Sequence, residues 1–128
     1  MSPKDTTILI ADDHDDNREL LQLVLLSAGY EVRETRDGSE CLALARHQPP
    51  DLIMMDLSMP GLDGWGVFRE LKTDQRTSTI PCIAVTAHAE LDRSEALETG
   101  FSAYVSKPFS SDELLKTVAA VLAERKAD

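Results

Sequence analysis

Apolar runs alternate with amphipathic stretches from one end of the chain to the other. TILIA, from Thr7 to Ala11, reads as a strand, and RELLQLVLLSAG behind it carries helical apolar spacing that stops at Gly29. YEVRET, from Tyr30 to Thr35, alternates as a half-exposed strand should. Asp37 with Glu40 three residues on has the form of a capping box, and it opens a helix that ends before Pro49 and Pro50. DLIMMD, from Asp51 to Asp56, is apolar without a break and predicts a strand covered on both faces. LSMPGLDG is a loop by its Pro and Gly content, and WGVFRELK is a short helix. CIAVT, from Cys82 to Thr86, is another fully apolar strand. ELDRSEALETG predicts a helix with a thin apolar stripe, mainly Leu91 and Leu97. AYVSKP, from Ala103 to Pro108, is a short last strand, and Ser110 with Glu113 caps a final helix whose stripe runs Leu114, Val118, Val121 and Leu122.

That is five strand–helix units with no linker, internal repeat or low-complexity segment between them. Strict alternation predicts an α/β fold, a parallel sheet with its five helices distributed over both faces. The runs at Thr7, Asp51 and Cys82 are apolar throughout and belong in the centre. Those at Tyr30 and Ala103 alternate or are short and suit the edges. With right-handed crossovers this favours strand order 2-1-3-4-5, the flavodoxin-like doubly wound sheet. The chain stops about as soon as its last helix does, so one domain over residues 1–128 with no output domain is the expectation.

Bulk properties narrow the class. The 128 residues are the usual size of one domain, enough for a single substantial core. A formal net charge of −10 repels phosphate backbones and anionic lipid, which argues against nucleic acid or membrane as a direct partner. No apolar stretch is long enough to span a bilayer, and MSPKDTT lacks the apolar core of a signal peptide. Cys41 and Cys82 have no C-x-x-C spacing and read as small buried hydrophobes in a reducing cytoplasm.

The chemistry collects at one rim. In an open parallel sheet, ligands bind beyond the carboxyl ends of the strands, near the point where strand order reverses. Asp12 and Asp13 follow the first strand, Asp56 the third, Thr86 the fourth and Lys107 the fifth. Each alone has a plain structural explanation: Asp12 or Asp13 as a helix cap, Asp56 as a turn residue, Thr86 as a strand residue, Lys107 as a solvated charge. Asp15 and Asp16 do no more than complement the start of the first helix. All five rim residues together resist that treatment. Crowded carboxylates raise one another's pKa unless a cation sits among them, and a hard divalent ion such as Mg²⁺ takes one or two carboxylates and keeps several waters. Such a site leaves room for a phosphoryl group, with Lys107 pairing one of its oxygens and Thr86 donating to another. The pattern predicts phosphoryl transfer to a carboxylate.

At this point the residues resemble a family, the receiver domains of two-component response regulators, in its single-domain, chemotaxis-regulator-like form. The resemblance covers essentially the whole chain and rests on ILIADDHDDNREL, PDLIMMDLSMPGLDG, IPCIAVTAHA and GFSAYVSKPF, in the family's order and spacing. It implies that Asp56 is the phosphoacceptor, attacking the phosphohistidine of a histidine kinase or histidine phosphotransfer protein. It implies that Asp13 and Asp56 bind Mg²⁺ (or Mn²⁺) directly, that Asp12 holds a metal-bound water, and that the Ser58 backbone carbonyl completes the protein ligands. Lys107 matches the lysine that pairs with the phosphoryl group, Thr86 the hydroxyl that swings toward it, and Ala87 the small residue whose N–H approaches it. Tyr104 matches the switch aromatic, and Pro108 follows Lys107 across a peptide bond usually found cis. Ser58 and His88 stand at the variable positions that tune phosphoryl lifetime. The implied protein is a cytoplasmic phosphoacceptor, not an enzyme on other substrates, that signals to a downstream protein target through a conformational change.

Rival readings fit less well. Asp13, Asp15 and Asn17 suggest an EF-hand, but Arg18 stands where the loop needs Gly and Val24 where it needs Glu. A flavodoxin would bind a flavin phosphate after the first strand, where this chain is acidic. A phosphatase with an aspartyl nucleophile expects D-x-D-x-T/V there, which DHDDN does not supply. A phosphate-independent interaction module on the same fold would tend to lose the acceptor Asp or the Lys, and both are present. A receiver domain excised from a hybrid histidine kinase is the remaining alternative.

Overall fold

The structure is a computed structural model that describes residues 5–127. Strands β1 (Thr7–Ala11), β2 (Glu31–Thr35), β3 (Leu52–Asp56), β4 (Cys82–Thr86) and β5 (Ala103–Ser106) alternate with helices α1 (Asp15–Ser27), α2 (Gly38–His47), α3 (Gly64–Lys72), α4 (Ala89–Thr99) and α5 (Ser111–Ala127). All strand pairs are parallel and the order is β2-β1-β3-β4-β5, as the strand types predict.

The pleat of the three central strands explains the two-sided core. Successive residues of a strand point to opposite faces. Leu9, Ala11, Ile53, Met55, Cys82 and Ala84 enter one layer, closed by Cys41, Leu42 and Ala45 of α2 and Val67, Phe68 and Leu71 of α3. Ile8, Ile10, Leu52, Met54, Ile83 and Val85 enter the other, closed by α1 and α5. Burying each of the larger of these side chains is worth about 1.5–3 kcal/mol, so the centre of the sheet is where the fold is strongest.

Element ends follow local chemistry. Gly29, at φ 95°, closes α1: its N–H donates to the Leu26 carbonyl at 3.0 Å and the Tyr30 N–H to that of Leu25 at 3.2 Å. That second bond uses the Tyr30 donor, and β2 starts at Glu31, one residue later than the alternation suggests. The Asp37 carboxylate accepts the Glu40 N–H at 2.8 Å and the Ser110 hydroxyl accepts the Glu113 N–H at 3.1 Å, so both predicted caps form. β5 ends at Ser106, two residues before Pro108, which has no N–H to offer a ladder.

One expectation fails, and a second helix shows a surplus. Leu91 and Leu97, read as the thin apolar stripe of α4, are 80% and 43% exposed and do not anchor the helix; of the α4 side chains described, only Ala96 is buried. α1 carries more leucine than the core can take. Leu21, Val24 and Leu25 go in, while Leu20, Leu23 and Leu26 form an exposed second stripe.

Candidate functional site

Register brings the chemistry together. Ala11 pairs with Met55, Asp56 with Val85 and Thr86 with Ser106, so the central strands and β5 finish almost level. The residues that follow them, Asp12, Asp13 and Lys107, therefore reach the same rim as Asp56 and Thr86.

Lys107 sits between two carboxylates. Its Nζ donates to Asp56 Oδ2 at 2.7 Å and to Asp12 Oδ2 at 3.1 Å. Burial by itself would lower the pKa of this ammonium, but the hydrogen bond and charge of Asp56, with Asp12 behind it, outweigh burial and hold it above its ordinary value. The peptide bond from Lys107 to Pro108 is cis. The remaining oxygens of the pair are fixed by backbone: Asp12 Oδ1 accepts the His14 N–H and Asp56 Oδ1 the Ser58 N–H, both at 2.8 Å. Asp12 is fully buried and Asp56 is 4% exposed.

Asp13 lies at the mouth of this group, and its Oδ1 is buried without a hydrogen-bond partner. Asp12, Asp13, His14 and Asp56 each bring one ligand atom to within 4.8 Å of the others. A buried carboxylate oxygen that accepts no hydrogen bond, beside two further carboxylates, suits a hard divalent cation such as Mg²⁺. The acidic cluster fits that ion.

Two contributors escape sequence reasoning. The exposed His14 turns its Nδ1 toward the cluster, 3.3 Å from Asp13 Oδ1, 3.4 Å from Asp12 Oδ1 and 3.8 Å from Asp56 Oδ2. Arg18 is buried under the rim, donating from one guanidinium nitrogen to the Asp12 carbonyl at 2.9 Å and from the other to the Asp15 carboxylate. That hydrogen bond to Arg18, with the guanidinium's charge, holds the Asp15 carboxyl below its usual range. Asp15 thus does more than complement the helix start, since it pairs the cation that braces Asp12. The signal was there in the three-residue spacing of Asp15 and Arg18, which puts them on one side of a helix turn. Neither Asp12 nor Asp13 caps α1; the cap position is His14, without a side-chain cap bond.

Thr86 stands at the end of β4, buried, with its hydroxyl turned to α4. Oγ1 donates to Asp92 Oδ2 at 2.8 Å and accepts the His88 N–H at 2.9 Å. Ala87 and His88 are exposed beside it. Tyr104 on β5 is half-buried, with the Arg93 guanidinium 5.2 Å above its ring. Gly64 opens α3 against the end of β3, where a Cβ would stand 2.6 Å from the Asp56 carbonyl oxygen. Only a residue without a side chain lets the helix come that close.

Comparison with known proteins agrees with this geometry. The family model of the response regulator receiver domain matches residues 8–119. The DNA-binding dual master transcriptional regulator RpaA of Synechocystis sp. is 40% identical over 90% of this chain, which spans 48% of RpaA. The polar-differentiation response regulator DivK of Brucella ovis is 38% identical over 92% of this chain and 97% of its own length. Among solved structures, the receiver domain of the sensor histidine kinase PA1611 from Pseudomonas aeruginosa superposes with a TM-score of 0.85 at 33% identity, covering 92% of this chain and 98% of that one; it is described with a magnesium ion coordinated in its active site cleft. Among the residues described here, no helix is long and apolar enough to cross a membrane.

Proposed function

This chain belongs to the response regulator receiver domains of two-component signalling, and from that premise we propose that Asp56 is the carboxylate on which it carries its phosphoryl group. The observation that carries the reading is the Lys107 ammonium held between Asp56 and Asp12, at 2.7 and 3.1 Å. Phosphoryl transfer asks a protein mainly for position and for charge near the moving oxygens. Receiver domains accept phosphoryl groups from histidine kinases or histidine phosphotransfer proteins, so the donor is a phosphohistidine. The Asp56 carboxylate attacks phosphorus, the P–N bond breaks, and its electron pair returns to the donor's ring nitrogen.

Each residue at the rim then has a task. An ammonium has three N–H groups, and Lys107 uses two on Asp12 and Asp56, which leaves one for an incoming phosphoryl oxygen. A Mg²⁺ (or Mn²⁺) ion held by Asp13 and Asp56, with Asp12 and the Ser58 carbonyl completing the set, would supply further positive charge beside the transferring group. The Thr86 hydroxyl and the Ala87 N–H serve the remaining oxygens. Ser58 and His88 flank the opening and set how readily water reaches the acyl phosphate, the only bond the domain makes or breaks on its own account.

Tyr104 lies in a groove of about 510 Å³ with Leu97, Ser106, Glu113 and Lys116. We take this face, between α4, β5 and α5, as the one a downstream protein reads in the cytoplasm. Equal partner affinity before and after phosphorylation would remove that assignment.

The test of the phosphoacceptor is intact mass after incubation with a small phosphodonor, with and without Mg²⁺. A labile, metal-dependent gain of one phosphoryl group, absent in Asp56→Asn, is the expected result. No gain in a folded, Mg²⁺-binding wild-type protein would make the domain a phosphate-independent interaction module.

A further inference from the structure

Thr86 has one hydroxyl proton, and in this structure it goes to Asp92. A hydroxyl donates a single hydrogen bond. The same proton therefore cannot serve Asp92 and a phosphoryl oxygen on Asp56 at once. We propose that Asp92 is a positioning residue that holds the Thr86 hydroxyl off the phosphoryl site and, through the same bond, holds the first turns of α4 against the end of β4. The inference rests on the reading of Asp56 as phosphoacceptor and adds to it a competitor for Thr86.

The surroundings give this bond its leverage. α4 has one buried side chain among those described, Ala96, and its cap residue His88 makes no side-chain bond to the helix. Leu91, one residue before Asp92, faces solvent. Arg93, one residue after it, lies over the Tyr104 ring. Two consecutive α4 residues thus grip the two side chains that link this flank to the site. Where apolar anchorage is so thin, a hydrogen bond to a charged acceptor is a large part of what fixes the segment. Once a phosphoryl oxygen draws the Thr86 proton, the Asp92 carboxylate loses its donor, and the added negative charge near it repels it. The start of α4 is then released. By linkage, removing the Asp92 acceptor in advance favours the state in which Thr86 is free, and the site binds a phosphoryl group more tightly.

Beryllofluoride with Mg²⁺, an inert mimic of a phosphoryl group on a carboxylate, provides the probe, with bound probe read by ¹⁹F NMR. Asp92→Ala is expected to bind it roughly three- to tenfold more tightly than the wild type, the scale set by one hydrogen bond to a charged group. Asp92→Asn keeps a neutral acceptor and should fall between the two. In a Thr86→Val background, Asp92→Ala should change affinity by less than about twofold, because the competed proton is gone. Amide exchange without any ligand supplies a second readout: the first turn of α4 should exchange faster in Asp92→Ala and in Thr86→Val, and no faster still in the double variant. Unchanged or weaker binding in a folded Asp92→Ala, or the same tightening without the Thr86 hydroxyl, would overturn the proposal. If Asp92→Ala does not fold, Asp92→Asn must show the same direction or the proposal fails. A wild type that binds no beryllofluoride, or an Asp56→Asn variant that binds it equally well, overturns the phosphoacceptor reading and this proposal with it.

Discussion

α3 and α4 follow neighbouring strands, and each is the next helix after a side chain of the site, Asp56 for α3 and Thr86 for α4. They are fastened in different ways. α3 follows Asp56 and buries Val67, Phe68 and Leu71 in nine residues; its first turn is capped by Asp63, whose carboxylate accepts the Gly66 N–H at 2.9 Å. Phe68 stacks on Phe101 at 4.3 Å between ring centroids, and Trp65 meets the edge of the same ring at 5.8 Å. Its far end is tied down too, since Asp74 pairs with Arg46 of α2 at 3.1 Å and with Arg76 at 2.9 Å. α4 follows Thr86, buries Ala96, and is held at its start by a hydrogen bond and a cation over a ring. The helix behind the proposed acceptor is anchored by its core, and the helix behind the hydroxyl is held mainly by polar ties. The proposed function, in which Asp56 stays placed while the flank beside it passes on a signal, needs both kinds of attachment.

The contrast can be broken most easily by truncation. Phe68→Ala should cost about 3–5 kcal/mol by urea unfolding, as large aromatic deletions in cores do. Leu91→Ala, at the most exposed large apolar side chain of α4, should stay within about 0.5 kcal/mol of the wild type. Similar costs for the two would end the comparison. Gly64→Ala drives a methyl group into the Asp56 carbonyl, and overpacking of that kind costs about 1–3 kcal/mol. Phosphoryl uptake should fall along with stability, and full uptake in a destabilised Gly64→Ala would show that α3 need not sit tight on the acceptor strand. Caps make a finer test. Asp63→Ala should cost about 1 kcal/mol. His88→Ala should cost almost nothing, because that side chain caps nothing.

The smallest effect is the response to acid at the far end of α3. The hydrogen bonds and charge of Arg76, with Arg46 adding charge, lower the Asp74 carboxyl to about 2. A carboxylate depressed on folding stabilises above its ordinary pKa, and the contribution disappears as pH falls through the folded value. The melting temperature of the wild type should therefore exceed that of Asp74→Asn above about pH 4 and converge on it near pH 2. A gap that persists below the folded value would assign the effect to packing rather than charge.

Much of this was legible in the chain, for reasons that differ by residue. Fully apolar runs such as DLIMMD and CIAVT admit one placement, the middle of a parallel sheet, and the order of all five strands follows. Asp37 and Ser110 act within three residues of themselves, so spacing reveals them. The acidic rim could be read because topology alone brings strand ends together. What could not be read depends on how much core remains to be filled. Leu91 and Leu97 carry a helix pattern but find no room, and the burial falls to Ala96, which is too small to mark a stripe. Asp92, and Arg18 in its bond to the Asp12 carbonyl, act through polar contacts between elements, which have no period along the chain; only the pairing of Arg18 with Asp15 had a spacing to show it. His14 was hidden by its neighbours, one histidine among four aspartates.

The two cysteines have a practical consequence. Cys41 and Cys82 lie in the layer that α2 and α3 close, and burial pushes both thiols up to about 12. Neither is accessible or ionised in the native fold, so a disulfide reagent can reach them only when that layer opens. The protein carries a stopwatch for its own breathing, installed on the anchored side and readable by absorbance without a label. Started with and without phosphodonor, it would report whether the signal stays on the loose flank or loosens the tight one as well.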